Sequence, residues 1–458
     1  MIGISKIYTI LKDSSRVNIF DLNHKLASKS KGAIYYDNYD QKNVLCWLVL
    51  MVYETLKNIS KDVLYIAERR TDNKEVKHLL FANSQNQYEA VQPLSENLID
   101  SLVYTNRWGR KRAKRLMTGA AYLISIAFFP FLYREYTKVK GYKKESIKSA
   151  YIKYWLSYGS YIVVRYVLSD VSPKSVTVSN DHSLWCRLFL RISQEESIKT
   201  FFVQHASATK GRPKMEFSIP LLEGRYSLEK YCFDEKKVEK IYLIGIPRFD
   251  KHQNNINRKR SVSSVGICSN RLASNSELTE IANHVMDVDC VSKVYYRPHP
   301  AEERPVLKKK FKRKNIEVSE PNSESAFSFI SNTEAIISGN SNILLESGVM
   351  NVLPIYFDFD NGMYDVYDFV RNGVAFYTKS GIEVASTIEE SNRKNINVRK
   401  KCKFYSETIG TKYSGSSSSL SSRIIQAESN RETEVIGDFK SVEALGPEEI
   451  PVYVPESK

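Results

Sequence analysis

The chain has 458 residues, 42% of them apolar and 26% charged, with a formal net charge of +15. This length accommodates two or three domains with cores of their own, and the composition is that of a globular protein, not a collagen-like or low-complexity one. The six cysteines (Cys46, Cys186, Cys232, Cys268, Cys290, Cys402) form no CxxC pair, which argues against zinc-ribbon and dithiol redox chemistry and suits reduced thiols.

A basic surplus favours polyanionic partners such as nucleic acid, acidic lipid headgroups or phosphorylated substrates. From Ala427 to Lys458 there are eight acidic and three basic residues, so the preceding chain carries about +20. The opening MIGISKIYTILKDSSRVNIF has no uninterrupted apolar stretch, and no signal peptide is expected. VLCWLVLMVY (44–53) is too short to span a bilayer and reads as a buried core element; VLYIAER (63–69) reads as a strand.

The composition then changes abruptly. RWGRKRAKR (107–115) carries six basic residues and precedes eighteen uncharged ones, LMTGAAYLISIAFFPFLY (116–133), after which basic character resumes to about residue 144. Three readings compete: a membrane span, marginal in length and interrupted by Pro130; a buried helix; or an interfacial segment whose basic flanks meet acidic lipid. Contact with an anionic membrane surface is the favoured expectation. The basic residues are not interleaved with aromatics in an RNA-binding motif, so nucleic acid is not expected as a partner.

From about Tyr161 the pattern becomes α/β. SVTVS (175–179) reads as a strand, DHSLWCRLFLRISQEES as a helix capped by Asp181 or Ser183, and TFFVQHA (200–206) as a second, parallel strand. KIYLIGIPRFD, SVGICSN, SKVYYRPHP, AIISGNSNILLESGVM and NVLPIYFDFD continue the alternation. Two facing Rossmann-like domains with a cleft between them are expected: 1–238, on the acceptor side and including the membrane-contact segment 107–144, and 239–426, binding the nucleotide. The Ser-rich YSGSSSSLSSRIIQ opens a last helix, and the acidic segment 427–458 is expected to be disordered.

Ligands of open α/β sheets bind at the carboxyl ends of strands, and four polar clusters stand at such ends. In SGNSN, Gly339 permits a tight turn, and Ser338, Asn340, Ser341 and Asn342 supply donors at a helix start that attracts phosphate, or else simply cap the helix. Glu346, one turn later, is placed to reach a ribose hydroxyl or to lie in solvent. In RPHP, Arg297 offers a planar fork for phosphate and His299 is held between Pro298 and Pro300. His205, in QHA, is a candidate general base, with Asp181 and His182 as a second base or an orienting partner. The DVD and DFD tripeptides lack further carboxylates, so neither metal nor other cofactor is assigned. P-loop, hydrolase-elbow and zinc spacings are absent from the sequence.

The succession VSNDHS, VQHASATKGRPK, EGRYSLEKY, LIGIPRFD, YYRPHP and ISGNSNILLESGVMNVLPIYFD (roughly 175–360) resembles bacterial surface- and capsular-polysaccharide glycosyltransferases of GT-B fold. In layout it is similar to polysialyltransferases and CDP-glycerol glycerophosphotransferases. The resemblance implies that His299, Ser341 and Asn342 hold the donor phosphates and that His205 acts near the acceptor. It departs where His205-Ala206 stands for an HG pair, SGNSN for a DYSS-like turn, and Glu223-Gly224 for an element with two acids. The expected activity is metal-independent, inverting transfer from a CMP- or CDP-linked donor to an oligosaccharide or lipid-linked saccharide, at the inner face of the cytoplasmic membrane.

Overall fold

The computed structural model describes residues 4–27, 44–68, 75–106, 113–259, 261–270, 273–299, 302, 304–314, 316–321, 323–359, 362, 365–394, 397–430, 439–447 and 449–456. Short, almost wholly buried apolar runs form its strands, as expected where helices cover both faces of a parallel sheet. In the first sheet these are β1 (His78–Ala82), β2 (Ser101–Thr105), β3 (Ala113–Arg115), β4 (Ser175–Val178), β5 (Lys199–Val203), β6 (Ile219–Leu222) and β7 (Ile241–Leu243). The second sheet comprises β8 (Ser264–Cys268), β9 (Lys293–Arg297), β10 (Glu317–Val318), β11 (Ala335–Ser338), β12 (Leu353–Phe357) and β13 (Phe376–Thr378). Two further strands, β14 (Phe439–Leu445) and β15 (Ile450–Pro455), return to the first sheet.

The sheet orders are β3-β2-β1-β4-β5-β6-β7-β15-β14 and β10-β9-β8-β11-β12-β13. All neighbours are parallel except β14, which runs antiparallel to β15. Each sheet thus carries the doubly wound 3-2-1-4-5-6 order, with its reversal between β1 and β4 in one and between β8 and β11 in the other. The expected architecture of two Rossmann-like units is present.

Its boundaries differ from the expected ones. β7, in KIYLIGIPRFD, belongs to the first sheet, and the second unit begins only with β8. The helix Ser417–Ser429 leaves the second unit and packs, through Leu420, Ile424 and Ile425, on the first sheet. Asp250 accepts from the backbone N–H groups of Ser417 and Ser418, at 3.0 and 2.6 Å, and so fixes that return. The tail expected to be disordered instead supplies β14 and β15: in IPVYVP, Ile450, Val452 and Val454 alternate into the core, which outweighs the acidic composition.

The N-terminal third departs further. The expected strand at 63–69 is not found over Val63–Glu68, which ends a helix running from Val44 to Glu68; a seven-residue run does not by itself separate the two states. The run at 44–53 is only partly core, with Trp47 and Met51 buried and Leu45, Val49, Val52 and Tyr53 exposed. The basic run lies largely outside the described residues. Leu116–Tyr133 forms two helices, Thr118–Ile126 and Phe129–Lys138. The first lies between Val44–Glu68 and the long helix Tyr142–Val171 at distances only glycine permits. A Cβ on Gly119 would stand 2.5 Å from the Ile59 nitrogen, and one on Gly159 1.9 Å from the Ala121 oxygen. Asp62 accepts from the Ala120 N–H (3.1 Å) at the head of that helix and pairs with buried Arg115 (3.4 Å). Among the described residues no helix is long and apolar enough to cross a membrane.

Candidate active site

The carboxyl ends of the two sheets meet at one seam. On the first side, β4 runs out at Val178 and the chain turns at Asn180, whose side-chain oxygen accepts from the His182 and Ser183 N–H groups (3.0 and 2.7 Å). That turn opens the helix Leu184–Glu195. Ser183 occupies the N-cap without a side-chain bond to the helix backbone, and Asp181, expected as a possible cap, is free for another use. Its Oδ1 accepts from His182 Nδ1 at 2.6 Å and from Arg212 Nη1 at 3.0 Å. Burial alone would raise the Asp181 pKa; the His182 hydrogen bond and the Arg212 charge outweigh it and hold the carboxylate well below its ordinary range. With Nδ1 donating to Asp181, Nε2 is the accepting nitrogen of His182, and it lies 3.4 Å from the Asn180 side-chain amide.

β5 ends at Val203, and Gln204 ties the next strand's exit to its own: its oxygen accepts from Glu223 N at 2.9 Å, and its amide donates to the Ala206 carbonyl at 2.9 Å. His205 is half-buried. Burial first, then the charges of Arg212 and Arg248, lower its pKa to about 3, so the ring is neutral at physiological pH. Ser207 N donates to Asn342 Oδ1 at 3.1 Å, a direct bond between the two units.

Arg248, in the 3₁₀ segment Pro247–Asn255, forms the second bridge. It donates to the His205 carbonyl, and its Nη2 lies 3.3 Å from Glu346 and 3.9 Å from Glu223. Burial raises the Glu223 pKa to about 7, with Arg248 opposing and Glu346 reinforcing the shift; Glu346 is raised for the same leading reason. Buried Asp181 Oδ2, Ser207 Oγ, Arg212 Nε, Glu223 Oε1, and Arg248 Nε and Nη2 all lack a hydrogen-bond partner. Folded proteins leave few such atoms, so a concentration of six marks a place prepared for a polar ligand or for water.

On the second side, β8 and β11 end at their sheet's reversal point. A Cβ on Gly339 would lie 2.3 Å from Asn270 Nδ2 and 2.9 Å from Phe359, so the turn after β11 needs glycine. Asn340 is pinned by Tyr356 OH and Val366 N, both at 3.0 Å. Ser341 and Asn342 are half-buried, and Ser341 Oγ accepts from Ile343 N at 3.4 Å. His299 is half-buried beyond β9, its backbone N–H bonded to Ser269 Oγ at 3.0 Å, beside the Asn270–Gly339 contact. Pro300 lies outside the described residues.

The structure thus brings Asp181, His182 and His205 together on one side, and Gly339, Asn340, Ser341, Asn342 and His299 on the other. Three expectations fail on geometry. Arg297 is buried and spent on Ser319 Oγ (2.9 Å), the Glu324 carbonyl (2.9 Å) and the face of Phe329, so its fork is not offered to phosphate. Ser338 points its hydroxyl at the Cys268 carbonyl (3.4 Å). Glu346 is buried against Arg248 and does not stand open to a ribose. Sequence reasoning missed Arg212, Ser207, Arg248 and Ser269; Ser269 directly follows β8 and Ser207 lies four residues past β5, whereas Arg212 is far along the β5–β6 connection and Arg248 sits in the 3₁₀ segment after β7, where no local signal marks them.

No protein-family model matches the sequence, and no curated protein sequence matches it. Solved structures similar in fold include the following three. One is from Listeria monocytogenes and is assigned as a UDP-N-acetylglucosamine 2-epimerase (10% identity, 78% of this chain and 97% of that one, TM-score 0.52). Another is a UDP-N-acetylglucosamine 2-epimerase (13%, 79% and 98%, TM-score 0.51), and the third is S. aureus MnaA with UDP (11%, 80% and 100%, TM-score 0.50). At these identities the likeness concerns architecture: the chain has the GT-B fold, two doubly wound α/β units whose strand ends meet across a polar seam.

Proposed function

We propose that the protein is a glycosyltransferase that moves a sugar from a nucleotide-activated donor onto a growing cell-surface polysaccharide at the inner face of the cytoplasmic membrane. One observation carries this reading: an Asp181–His182 pair on one unit faces a seam bonded, through Ser207 and Asn342, to the polar turn of the other. In the reaction, His182 Nε2 takes the proton of the acceptor hydroxyl while Asp181 orients the ring and stabilises the imidazolium. The acceptor oxygen bonds to the anomeric carbon as the bond to the donor phosphate breaks, and the nucleotide leaves with the electron pair. His299, Ser341 and Asn342 stabilise its charge, each such preorganised donor contributing about 2–4 kcal/mol. Burial and the charges of Arg212 and Arg248 disfavour protonation of His205, so the role of base is assigned to His182, with its Asp181 partner, and not to His205.

Thermal-shift measurements with CMP, CDP, UDP and GDP identify the base of the donor. His182→Ala should then remove transfer while leaving nucleotide affinity within about twofold. Absence of binding by all four nucleotides, or transfer retained in the variant, would overturn the proposal. A CDP-alditol phosphotransferase would use the same base with displacement at phosphorus, and is recognised by release of CMP, not CDP, from a CDP-linked donor. Epimerisation of a nucleotide sugar is a second reading, favoured by the activity named for the similar structures; it needs no acceptor, so conversion of UDP-N-acetylglucosamine alone would establish it.

A further inference from the structure

The connection between β12 and β13 crosses from one unit to the other at the seam. Asp365 folds it into a tight turn, its carboxylate accepting from the Phe369, Val370 and Arg371 N–H groups at 2.9, 2.8 and 3.1 Å. Val366 N donates to Asn340 Oδ1 at 3.0 Å, which ties this turn to the polar turn of its own unit. Two residues later, Asp368 accepts from Lys230 Nζ at 2.6 Å and from Tyr226 OH at 3.3 Å, both on the helix Arg225–Lys230 of the first unit. Tyr405 OH adds bonds to the Tyr367 and Asp368 carbonyls, at 2.8 and 3.0 Å. Asp368 stands at φ 53°, a left-handed conformation uncommon in a residue with a side chain. Such a backbone persists where its surroundings over-determine it.

Tyr367 lies between those two anchors. Its ring stacks on that of buried Phe369, with centroids 5.2 Å apart. The residue is half-buried, and its hydroxyl makes no hydrogen bond among the described residues. On the facing unit, the Arg212 guanidinium lies over the ring of Tyr231, 5.9 Å from its centre and one residue beyond Lys230, and donates to Asp181 at 3.0 Å. Burial raises the pKa of the Tyr367 hydroxyl and the Arg212 charge opposes that shift. The hydroxyl stays protonated at neutral pH, able both to donate and to accept. Tyr367 thus stands where the turn at Asn340 and the Arg212–Asp181 pair converge. In the proposed reaction the leaving phosphate is on one side and the acceptor hydroxyl on the other, and the group held between them is the one being transferred.

We infer that Tyr367 contacts the transferred sugar through its ring and hydroxyl and takes part in selecting which sugar is accepted. The inference rests on the proposed transfer from a nucleotide-activated donor. A tyrosine suits this place, since it offers an apolar face to the C–H side of a sugar ring and a polar tip to its hydroxyls. The anchors on either side present that ring in one position.

Titration calorimetry on the full chain uses CMP, CDP, UDP and GDP, each beside one sugar conjugate: CMP-N-acetylneuraminate, CDP-glucose, UDP-N-acetylglucosamine and GDP-mannose. The quantity read is the affinity for the conjugate divided by that for the bare nucleotide, in the pair that the native protein binds most tightly. Tyr367→Phe should lower this ratio by about 3- to 10-fold, the loss of one hydrogen bond. Tyr367→Ala should lower it by about tenfold or more, because the ring is lost as well. A purely structural role would weaken both ligands alike and leave the ratio where it was. The phenylalanine variant keeps the stack on Phe369, so its melting temperature should match the native one, and it decides alone if the alanine variant does not fold. An unchanged ratio overturns the inference and leaves the transferase reading standing. Failure of the native protein to bind any of these compounds overturns both.

Discussion

Glu223→Gln tests whether the seam holds a carboxylate against its preference. Glu223 is 1% exposed, and its nearest cation, Arg248, is shared with Glu346. Burial raises its pKa from the ordinary 4.5 to about 7. A raised acid pKa means that the folded state binds the proton more tightly than the unfolded chain. The associated stability is therefore present in full below about pH 4.5 and is lost as pH rises to about 7. At about 1.4 kcal/mol per pH unit, the loss over that interval is roughly 3 kcal/mol. Glutamine keeps the shape and carries no charge to desolvate, so the variant escapes the loss. Urea unfolding at about pH 5 and about pH 8 should give nearly equal stabilities for the two proteins at the lower value, with the variant ahead by roughly 2–3 kcal/mol at the higher. A gap that does not widen with pH, or a variant weaker at both values, would show that Glu223 is ionised and satisfied in the fold, against the burial argument.

Two further substitutions probe the framework around that seam. Arg248→Ala leaves Glu223 and Glu346 buried without a counter-charge and removes the donor to the His205 carbonyl. It should cost about 3–5 kcal/mol near pH 8 and less in acid, by urea denaturation, and a loss under about 1 kcal/mol would contradict the bridge. Gly159→Ala places a methyl group 1.9 Å from the Ala121 carbonyl. It should lower stability by about 1–3 kcal/mol through overpacking, and an unchanged melting temperature would mean that Thr118–Ile126 is not wedged against Tyr142–Val171.

Much of the chain from Ser175 onward was legible because parallel strands are short and apolar and their loops are polar, so that SVTVS, TFFVQ, SVGIC, KVYYR, AIIS and LPIYF stand out. The N-terminal third was less legible for the same physical reason. Its helices are apolar over long stretches, partly from core packing and partly from an exposed stripe, and periodicity in Val63–Arg69 does not distinguish a strand from a helix segment. The returning hairpin was hidden by its charge: eight acidic residues in 427–458 suggested disorder, yet alternation over six residues of IPVYVP is enough to seat β15 beside β7. No local signal says that a segment from the end of the chain will complete the first sheet, because that pairing depends on an edge made two hundred residues earlier.

The errors and successes at the seam share one geometric cause. Side chains within a strand stand perpendicular to the sheet, into the helical layers, whereas residues beyond its last hydrogen-bonded position face the crevice. Arg297 and Ser338 are the last residues of β9 and β11, and both are consumed by neighbours, Arg297 by Ser319, the Glu324 carbonyl and Phe329, and Ser338 by the Cys268 carbonyl of the adjacent strand. His299, Asn340, Ser341 and Asn342 lie past those ends, as do Asp181 and His182 after β4, Gln204 and His205 after β5, Glu223 after β6, and Ser269 after β8. A one- or two-residue difference in where a strand stops therefore decides whether a polar side chain serves the fold or the ligand. It follows that an arginine at a strand's last position is a poor candidate for phosphate, and that Arg212 and Arg248, both in the connections beyond strands, are the cations that reach the seam.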